Sequence, residues 1–254
     1  MLRVSVIYGT GMSNLPNLFS DSLNSPLINI RCDSNWGTVP LSIIKKNNFH
    51  ISFLHRHHSI NNYITPPHSI EHRANIHAVA SFSPNIIISI NSVGSISSEI
   101  KPGEIGLASD IIDFTEYAWS FHDIITYHSD RTSTFDPNAI DIFSKVLKEI
   151  QGREAKKLVV AQCKGPQFES PAEINALEIL GAEVVNMTLG SESRLISELS
   201  IPHVSMLCSS NWAAGKNPKG PKIKINHEEV QSISNSMEKM ILECINYLIT
   251  NYQV

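Results

Sequence analysis

Short apolar runs rich in β-branched residues, each ended by glycine or a polar cluster, recur at residues 4–7, 50–55, 85–91, 105–111, 158–162, 184–187 and 204–208. Runs of this length between turn residues predict buried strands. Between several of them the apolar spacing changes to three and four. Ile70, Ala74, His77, Ala78 and Phe82 follow the breaker Pro66-Pro67 and stop before Pro84, which predicts a helix. Ile140, Phe143, Val146, Leu147 and Ile150 predict a second, with Gly152 as its C-cap. A third runs over 171–180 and closes on Gly181. Val230, Ile233, Met237, Met240, Ile241, Cys244 and Leu248 draw one stripe along 228–249, which predicts a single long terminal helix.

Strands alternating with amphipathic helices predict an α/β fold in which helices flank a central, mostly parallel mixed sheet. No repeat, low-complexity tract or linker divides the chain, so a single domain over 1–254 is expected. Residues 216–224, rich in Lys, Pro and Gly, predict a surface loop or lid.

Composition narrows the function classes. The chain is 42% hydrophobic and 17% charged, enough apolar material for a substantial core and too little charge for a disordered chain. Its net charge is −4 and no stretch concentrates Lys and Arg, which argues against a nucleic-acid partner. No apolar run approaches the roughly 18–20 residues needed to cross a bilayer, and the run before Gly9 is too short for a signal h-region. No membrane partner and a cytoplasmic location are therefore expected. Cys32, Cys163, Cys208 and Cys244 lie far apart with no C-x-x-C pair, as buried thiols in a reducing compartment do. Eleven histidines include no H-E-x-x-H, and His68, His72 and His77 have no evident carboxylate partner, so no metal is expected.

In open α/β folds ligands collect at the carboxyl ends of strands, and five polar segments sit there. Gly9-Thr10-Gly11 suits an anion through its hydroxyl and exposed N–H groups, although G-x-G also makes ordinary turns. Arg56-His57-His58 offers a guanidinium fork and an imidazole, or else a solvated surface cluster. Asn91-Ser92-Val93-Gly94-Ser95 ends an apolar run in hydrogen-bonding groups, as a plain strand exit also does. In Gly165-Pro166-Gln167-Phe168-Glu169-Ser170, Phe168 can stack on a flat heterocycle and Glu169 can accept its N–H, while Ser170 and Glu173 read as a capping box. Asn186-Met187-Thr188 and Ser210-Asn211-Trp212 complete the set, with an Asn suited to an amide-like edge.

The order of these motifs resembles the trimeric purine nucleoside phosphorylase and methylthioadenosine phosphorylase family nearly end to end. Matching segments include Gly9-Thr10-Gly11, Arg56-His57, Arg73-Ala74-Asn75, Asn91 to Gly94, Pro102-Gly103-Glu104, Gly165-Pro166, Gly181-Ala182-Glu183, Asn186-Met187-Thr188 and Asn211. The resemblance implies a nucleoside-phosphorylase-like fold and a reaction in which a nucleoside and inorganic phosphate give free purine and a pentose 1-phosphate. Phosphate is then a co-substrate and no cofactor is expected. By that pattern Thr10, Arg56, His57, Asn91, Ser92 and Thr188 would hold phosphate. Phe168, Asn186, Met187, Ala213 and His227 would bind the nucleoside, and Glu169 with Asn211 would act on the base. His128 would reach into a neighbouring subunit's site of a homotrimer.

The pair Glu169 and Asn211 is similar to the hypoxanthine and guanine type, and His227 to a residue that meets a 5′-hydroxyl. Ser210-Asn211-Trp212-Ala213-Ala214-Gly215-Lys216 also resembles bacterial methylthioinosine phosphorylases, so S-methyl-5′-thioinosine stands as the alternative substrate. A purine-binding homologue without turnover is the third reading. Three residues depart from the family pattern: Tyr8 and His58 are expected to add bulk near the phosphate loop, and Gln167 removes a charge.

Overall fold

The computed structural model describes residues 1–59 and 63–253. In chain order its elements are β1 (Leu2–Tyr8), α1 (Leu15–Leu23), β2 (Ile28–Ser34), β3 (Gly37–Lys45), β4 (Phe49–His55), a 3-10 turn (Pro67–Ser69) and α2 (His72–Ser81). There follow β5 (Ile86–Ser95), β6 (Ile105–Asp113), α3 (Pro137–Gln151), β7 (Lys157–Gln162) and α4 (Pro171–Ile179). The chain finishes with β8 (Val184–Asn186), α5 (Leu189–Glu198), β9 (His203–Trp212), α6 (His227–Ser236) and α7 (Glu238–Asn251).

Alternation within the central strands sets the layers. Val4 and Val6 of β1, Ile51 and Phe53 of β4, and Ile86 and Ile88 of β5 join α3 and α7 side chains such as Phe143, Leu147, Ile241 and Ile245 in the larger core. Their neighbours Ile7, Leu54 and Ile87 face the other way, onto Ala74, Ile76 and Ala78 of α2 and Leu195 and Ile196 of α5. Residues two apart on a strand share a face, so one strand feeds two helical layers.

The nine strands run β2-β3-β4-β1-β5-β8-β7-β6-β9, and β5 also pairs with β9. That extra pairing closes the second half of the sheet on itself, which an open doubly wound sheet would not do. Five pairings are parallel and four antiparallel. The sheet is therefore mixed, with the antiparallel share larger than the sequence pattern suggests. A register shift at Val93/Gly94 lets β5 meet β9 along its length and β8 at its end; bulges of this kind bend strands and increase their twist.

Several boundaries differ from the sequence expectation, among them the run at 204–208, which extends as strand to Trp212. The run at 85–91 extends as strand to Ser95, so the polar segment after Asn91 lies within β5. The single terminal helix divides at Met237 into α6 and α7. The two halves pack on different partners, α6 on β9 and α7 on α3 and α1, so no straight helix serves both. Finally, α2 starts at His72, where Glu71 accepts from Arg73 N, after a separate 3-10 turn. The third and second helices are capped as their sequences suggest, by a reciprocal capping box of Ser170 and Glu173 on α4 and by Gly152 in the left-handed region at the end of α3, and Asp136 also accepts from Ala139 N at its start.

Two imidazoles sit inside this frame. His72 and His203 are buried, and burial pushes each down to about 3 from the ordinary 6.5, with Arg56 adding a smaller repulsion in both and Arg131 one in His203. A base held neutral in the folded state takes up its proton only on unfolding, so its contribution is complete above about pH 6.5 and is lost as pH falls toward 3. Urea denaturation at pH 7, 6 and 5 is expected to show stability falling with pH, by up to about 1.4 kcal/mol per pH unit for each imidazole. His72→Gln or His203→Gln should flatten that slope.

Candidate active site

The carboxyl ends of β1 and β4, the last residues of β5 and β9, and the starts of α5 and α6 surround one cavity of about 190 Å³. Eleven of the residues singled out in the sequence line it: Thr10, Arg56, His57, Ser92, Phe168, Glu169, Asn186, Met187, Thr188, Asn211 and His227. They are joined there by Pro67, Val93, Gly94, Pro166, Val185, Ser210 and Val230.

One wall is built for an anion. Arg56 is only 3% exposed, and its guanidinium is fixed by its neighbours. Nε donates to Glu192 Oε1 at 2.6 Å, Nη2 to Glu192 Oε2 at 3.2 Å, and Nη1 to Ile90 O at 2.7 Å. A second Nη2 bond reaches Ile7 O at 3.4 Å. One Nη1 hydrogen is left without a protein acceptor among the described residues. Gly9 makes room for this arrangement, since a Cβ there would stand 2.8 Å from Arg56 Nη1 and 3.3 Å from the His57 ring. His57 Nδ1 lies 2.9 Å from Thr65 O and donates to it, which leaves Nε2 as a lone pair in the neutral ring. Burial, with repulsion from Arg56, pushes His57 down to about 4, so the ring is neutral at pH 7 and suits a phosphate oxygen that still carries a proton.

Thr188 and Ser92 bring hydroxyls to the same wall. Asn186 Oδ1 accepts from Thr188 N and Leu189 N at 2.8 and 2.7 Å, and Gln162 Oε1 accepts from Gly190 N at 2.8 Å. The start of α5 is thus satisfied by side chains. Ser92 Oγ donates to Ser210 Oγ at 2.8 Å. Asn91 differs from the expectation of a phosphate ligand. It is fully buried behind the wall, donating to Thr188 Oγ1 at 3.3 Å and accepting from Ser205 Oγ at 3.0 Å, because its side chain alternates inward from β5.

Other residues of the lining suit a flat heterocycle. Phe168 stands 41% exposed at its rim. Beside it, burial pushes the Glu169 carboxyl above its usual range, partly offset by hydrogen bonds from its own backbone and from the Cys163 thiol. Asn211 Oδ1 accepts from Ser210 Oγ at 2.9 Å and Nδ2 donates to Trp212 O at 2.9 Å. One amide hydrogen of Asn211 remains for a ligand. Gly94 permits that placement, as a Cβ there would lie 3.2 Å from Asn211 Nδ2 and 3.1 Å from Val185.

Four other expectations are located as follows. Asn186 lines the cavity, but both ends of its amide are used, with Nδ2 donating to Ser92 O at 2.9 Å. It scaffolds the wall. Ala213 is buried in the cluster beneath α4 and lines a separate cleft. His128 is exposed on the segment between β6 and α3, away from its own chain's cavity. Of the departures, Tyr8 turns into the core and His58 bonds to Asn75 Oδ1 at 2.8 Å, and neither lines the cavity, while Gln167 borders the cleft outside Phe168.

Glu192 was not apparent in the sequence. It lies one turn after Thr188 in a Gly190-Ser191-Glu192-Ser193 run whose polarity suggests a loop, yet all four residues are buried in α5. The only available signal was the three-to-four spacing of Leu189, Glu192, Leu195 and Ile196.

Comparison with known proteins assigns the class. Residues 11–246 match the family model described as Phosphorylase superfamily, and the chain belongs to that family. It is 30% identical to the 6-oxopurine nucleoside phosphorylase of Pyrococcus furiosus, over 96% of this chain and 92% of that one. It is 32% identical to a Methanopyrus kandleri protein named "Probable S-methyl-5'-thioinosine phosphorylase", over 98% of this chain and 93% of that one. Among solved structures, methylthioadenosine phosphorylase from Schistosoma mansoni in complex with adenine matches with a TM-score of 0.86 at 18% identity, covering 98% of this chain and 91% of that one. At that identity the likeness concerns the fold.

Proposed function

We propose that the protein is a purine nucleoside phosphorylase, a pentosyltransferase that cleaves 6-oxopurine nucleosides such as inosine and guanosine with inorganic phosphate. The observation that carries this reading is the single cavity lined by Arg56, His57 and Thr188 together with Phe168, Glu169 and Asn211. Phosphate serves as nucleophile and counter-charge, held by Arg56, Thr10, Ser92, Thr188 and His57. The carbon–nitrogen bond breaks through an oxocarbenium-like sugar, and its electron pair goes to the purine. Asn211 donates to the base as that charge arrives. Ionised Glu169 accepts the N1–H that a 6-oxopurine presents and a 6-aminopurine lacks. Met187 packs against the ribose, and no cofactor or metal takes part.

Inosine incubated with phosphate is expected to yield hypoxanthine and ribose 1-phosphate, with no release when phosphate is omitted. Release independent of phosphate would mark a hydrolase, and hypoxanthine binding without product a non-catalytic binder. Adenosine should be a poor substrate.

A second reading, S-methyl-5′-thioinosine, is favoured by the apolar Val230 and Pro67 in the same cavity and by the Methanopyrus relative. His227 separates the two. His227→Ala is expected to lower kcat/KM for inosine about tenfold, the scale of one lost hydrogen bond, and to leave the methylthio analogue unaffected. Equal losses on both substrates would remove His227 from 5′ recognition.

The proposal includes a cytoplasmic homotrimer in which His128 approaches a neighbour's cavity. Phe114, Tyr117, Ile124 and Ile125 stand exposed in the same segment after β6, apolar side chains of the kind that subunits cover. Light scattering should give three times the 28.2 kDa chain mass; a monomer mass would exclude the shared site.

A further inference from the structure

Behind Arg56 runs a chain of buried polar side chains that meets the cavity lining at the Arg56 guanidinium, while the Glu192 backbone N–H donates to Thr188 O at 3.1 Å within α5. His203 Nε2 lies 3.0 Å from Ser89 Oγ, Ser89 Oγ lies 3.1 Å from Glu192 Oε2, and Glu192 grips Arg56 with both oxygens. Exposure is 3% for His203, 0% for Ser89, 1% for Glu192 and 3% for Arg56, so water screens none of these contacts. The protons along it are determined. Glu192, facing a guanidinium, is an acceptor, so Ser89 spends its one hydrogen on Oε2. Ser89 must then accept from His203, which fixes the imidazole as the Nε2–H tautomer. Its Nδ1 has no hydrogen-bond partner among the described residues and so carries only a lone pair.

A buried guanidinium must be paired, but a carboxylate directly beneath an anion site also opposes the anion. That cost is accepted where the carboxylate does something geometric. Glu192 takes Nε and Nη2 in a fork, which fixes the guanidinium plane; the Ile90 carbonyl takes one Nη1 hydrogen, and a single hydrogen remains for a ligand. We propose that Glu192 is a positioning residue for phosphate, acting through Arg56 and held in place by Ser89 and His203. The proposal rests on the reading of Arg56 as a phosphate ligand. It also explains why α5 carries its polar residues inward: one helix places Thr188 on the cavity wall and, a turn later, Glu192 behind Arg56.

The sign of one effect separates positioning from charge. In Glu192→Gln the negative charge is gone, but an amide N–H₂ now faces one of the guanidinium donors and the plane turns. If Glu192 acted by charge alone, neutralising it would tighten phosphate. Positioning predicts the opposite. The KM for phosphate is expected to rise about tenfold or more in Glu192→Gln, the scale of a lost charge-assisted hydrogen bond. The Kd of hypoxanthine should stay within about twofold, since no hydrogen bond among the described residues joins Phe168, Glu169 or Asn211 to this chain of groups.

Ser89→Ala keeps the ion pair and removes only the support of Oε2; it should raise the phosphate KM about two- to fivefold, again without changing hypoxanthine binding, and it decides the matter if Glu192→Gln does not fold. Arg56→Lys is measured alongside. If Arg56→Lys is impaired in phosphate KM while Glu192→Gln and Ser89→Ala are unchanged or tighter, positioning is overturned and the phosphate site stands. If Arg56→Lys leaves the phosphate KM unchanged, the phosphate-site reading fails and positioning fails with it. A fall in active fraction and Tm with unchanged KM values in the surviving enzyme would likewise overturn positioning in favour of a structural role.

Discussion

An Asn211→Ala variant is expected to lose a factor of about 10²–10³ in kcat/KM for inosine with phosphate, the scale seen when one preorganised donor to a developing anion is removed. The expectation comes from how the side chain is held. Its oxygen takes the Ser210 hydroxyl and one amide hydrogen takes the Trp212 carbonyl, so the remaining hydrogen points without reorganisation. Gly94 lets β5 approach closely enough for this. The donor meets little charge in the ground state and more as the carbon–nitrogen bond breaks, so the loss should fall mainly on kcat and little on hypoxanthine affinity. Stability should change by only about 1 kcal/mol, since the bonds lost are neutral and partly buried. Steady-state kinetics with urea denaturation on the same preparation checks both parts. A loss below about tenfold in kcat/KM would mean that the base departs without help from this residue.

The second large effect is expected at Arg56. Arg56→Ala removes the charge that pairs with Glu192 and leaves that carboxylate buried alone, which costs about 3–5 kcal/mol of folding stability. Phosphate binding should be lost together with stability, which separates this variant from Asn211→Ala. Because the penalty arises mainly from the orphaned partner, the double variant Arg56→Ala with Glu192→Ala should be more stable than Arg56→Ala alone while remaining unable to bind phosphate. Denaturation midpoints for the two singles and the double provide the cycle. Additive losses would show that the two residues do not depend on each other.

These two walls were legible in the sequence for a common reason. Thr10, Arg56 and Thr188 follow an apolar strand, Ser92 and Asn211 lie in the last residues of one, and a strand that turns abruptly polar toward its carboxyl end exposes those residues to a crevice. Phe168 and Glu169 precede a capping box that fixes where α4 begins, so stacking and capping occupy adjacent residues without conflict. What was hidden depends on long-range pairing. The hairpin of β2 and β3 alternates Val39, Leu41 and Ile43 at period two, but with β2 largely exposed the apolar content of the pair is diluted. The pairing of β5 with β9 joins segments more than a hundred residues apart, and no local pattern records it.

Polar residues misled in both directions. Glu192 and its serine neighbours escape notice because burial of a paired charge leaves no hydrophobic trace, whereas Asn91 and Asn186 read as ligands because a scaffold amide and a ligand amide are the same residue. Strand alternation decides between them: Asn91 turns into the core while Ser92, the next residue, faces the cavity. The division at Met237 was hidden for a related reason. Both halves keep one apolar stripe, and only the different packing partners of α6 and α7 separate them.

The account turns on phosphate and purine occupying one cavity at once. A crystal structure of the protein grown with phosphate and hypoxanthine tests this directly. The account predicts phosphate within hydrogen-bond distance of Arg56 Nη1 and the Thr188 hydroxyl, and the purine stacked on Phe168 with its N1–H on Glu169 and a donor from Asn211. Phosphate bound elsewhere, or a purine that leaves Glu169 and Asn211 untouched, would contradict it.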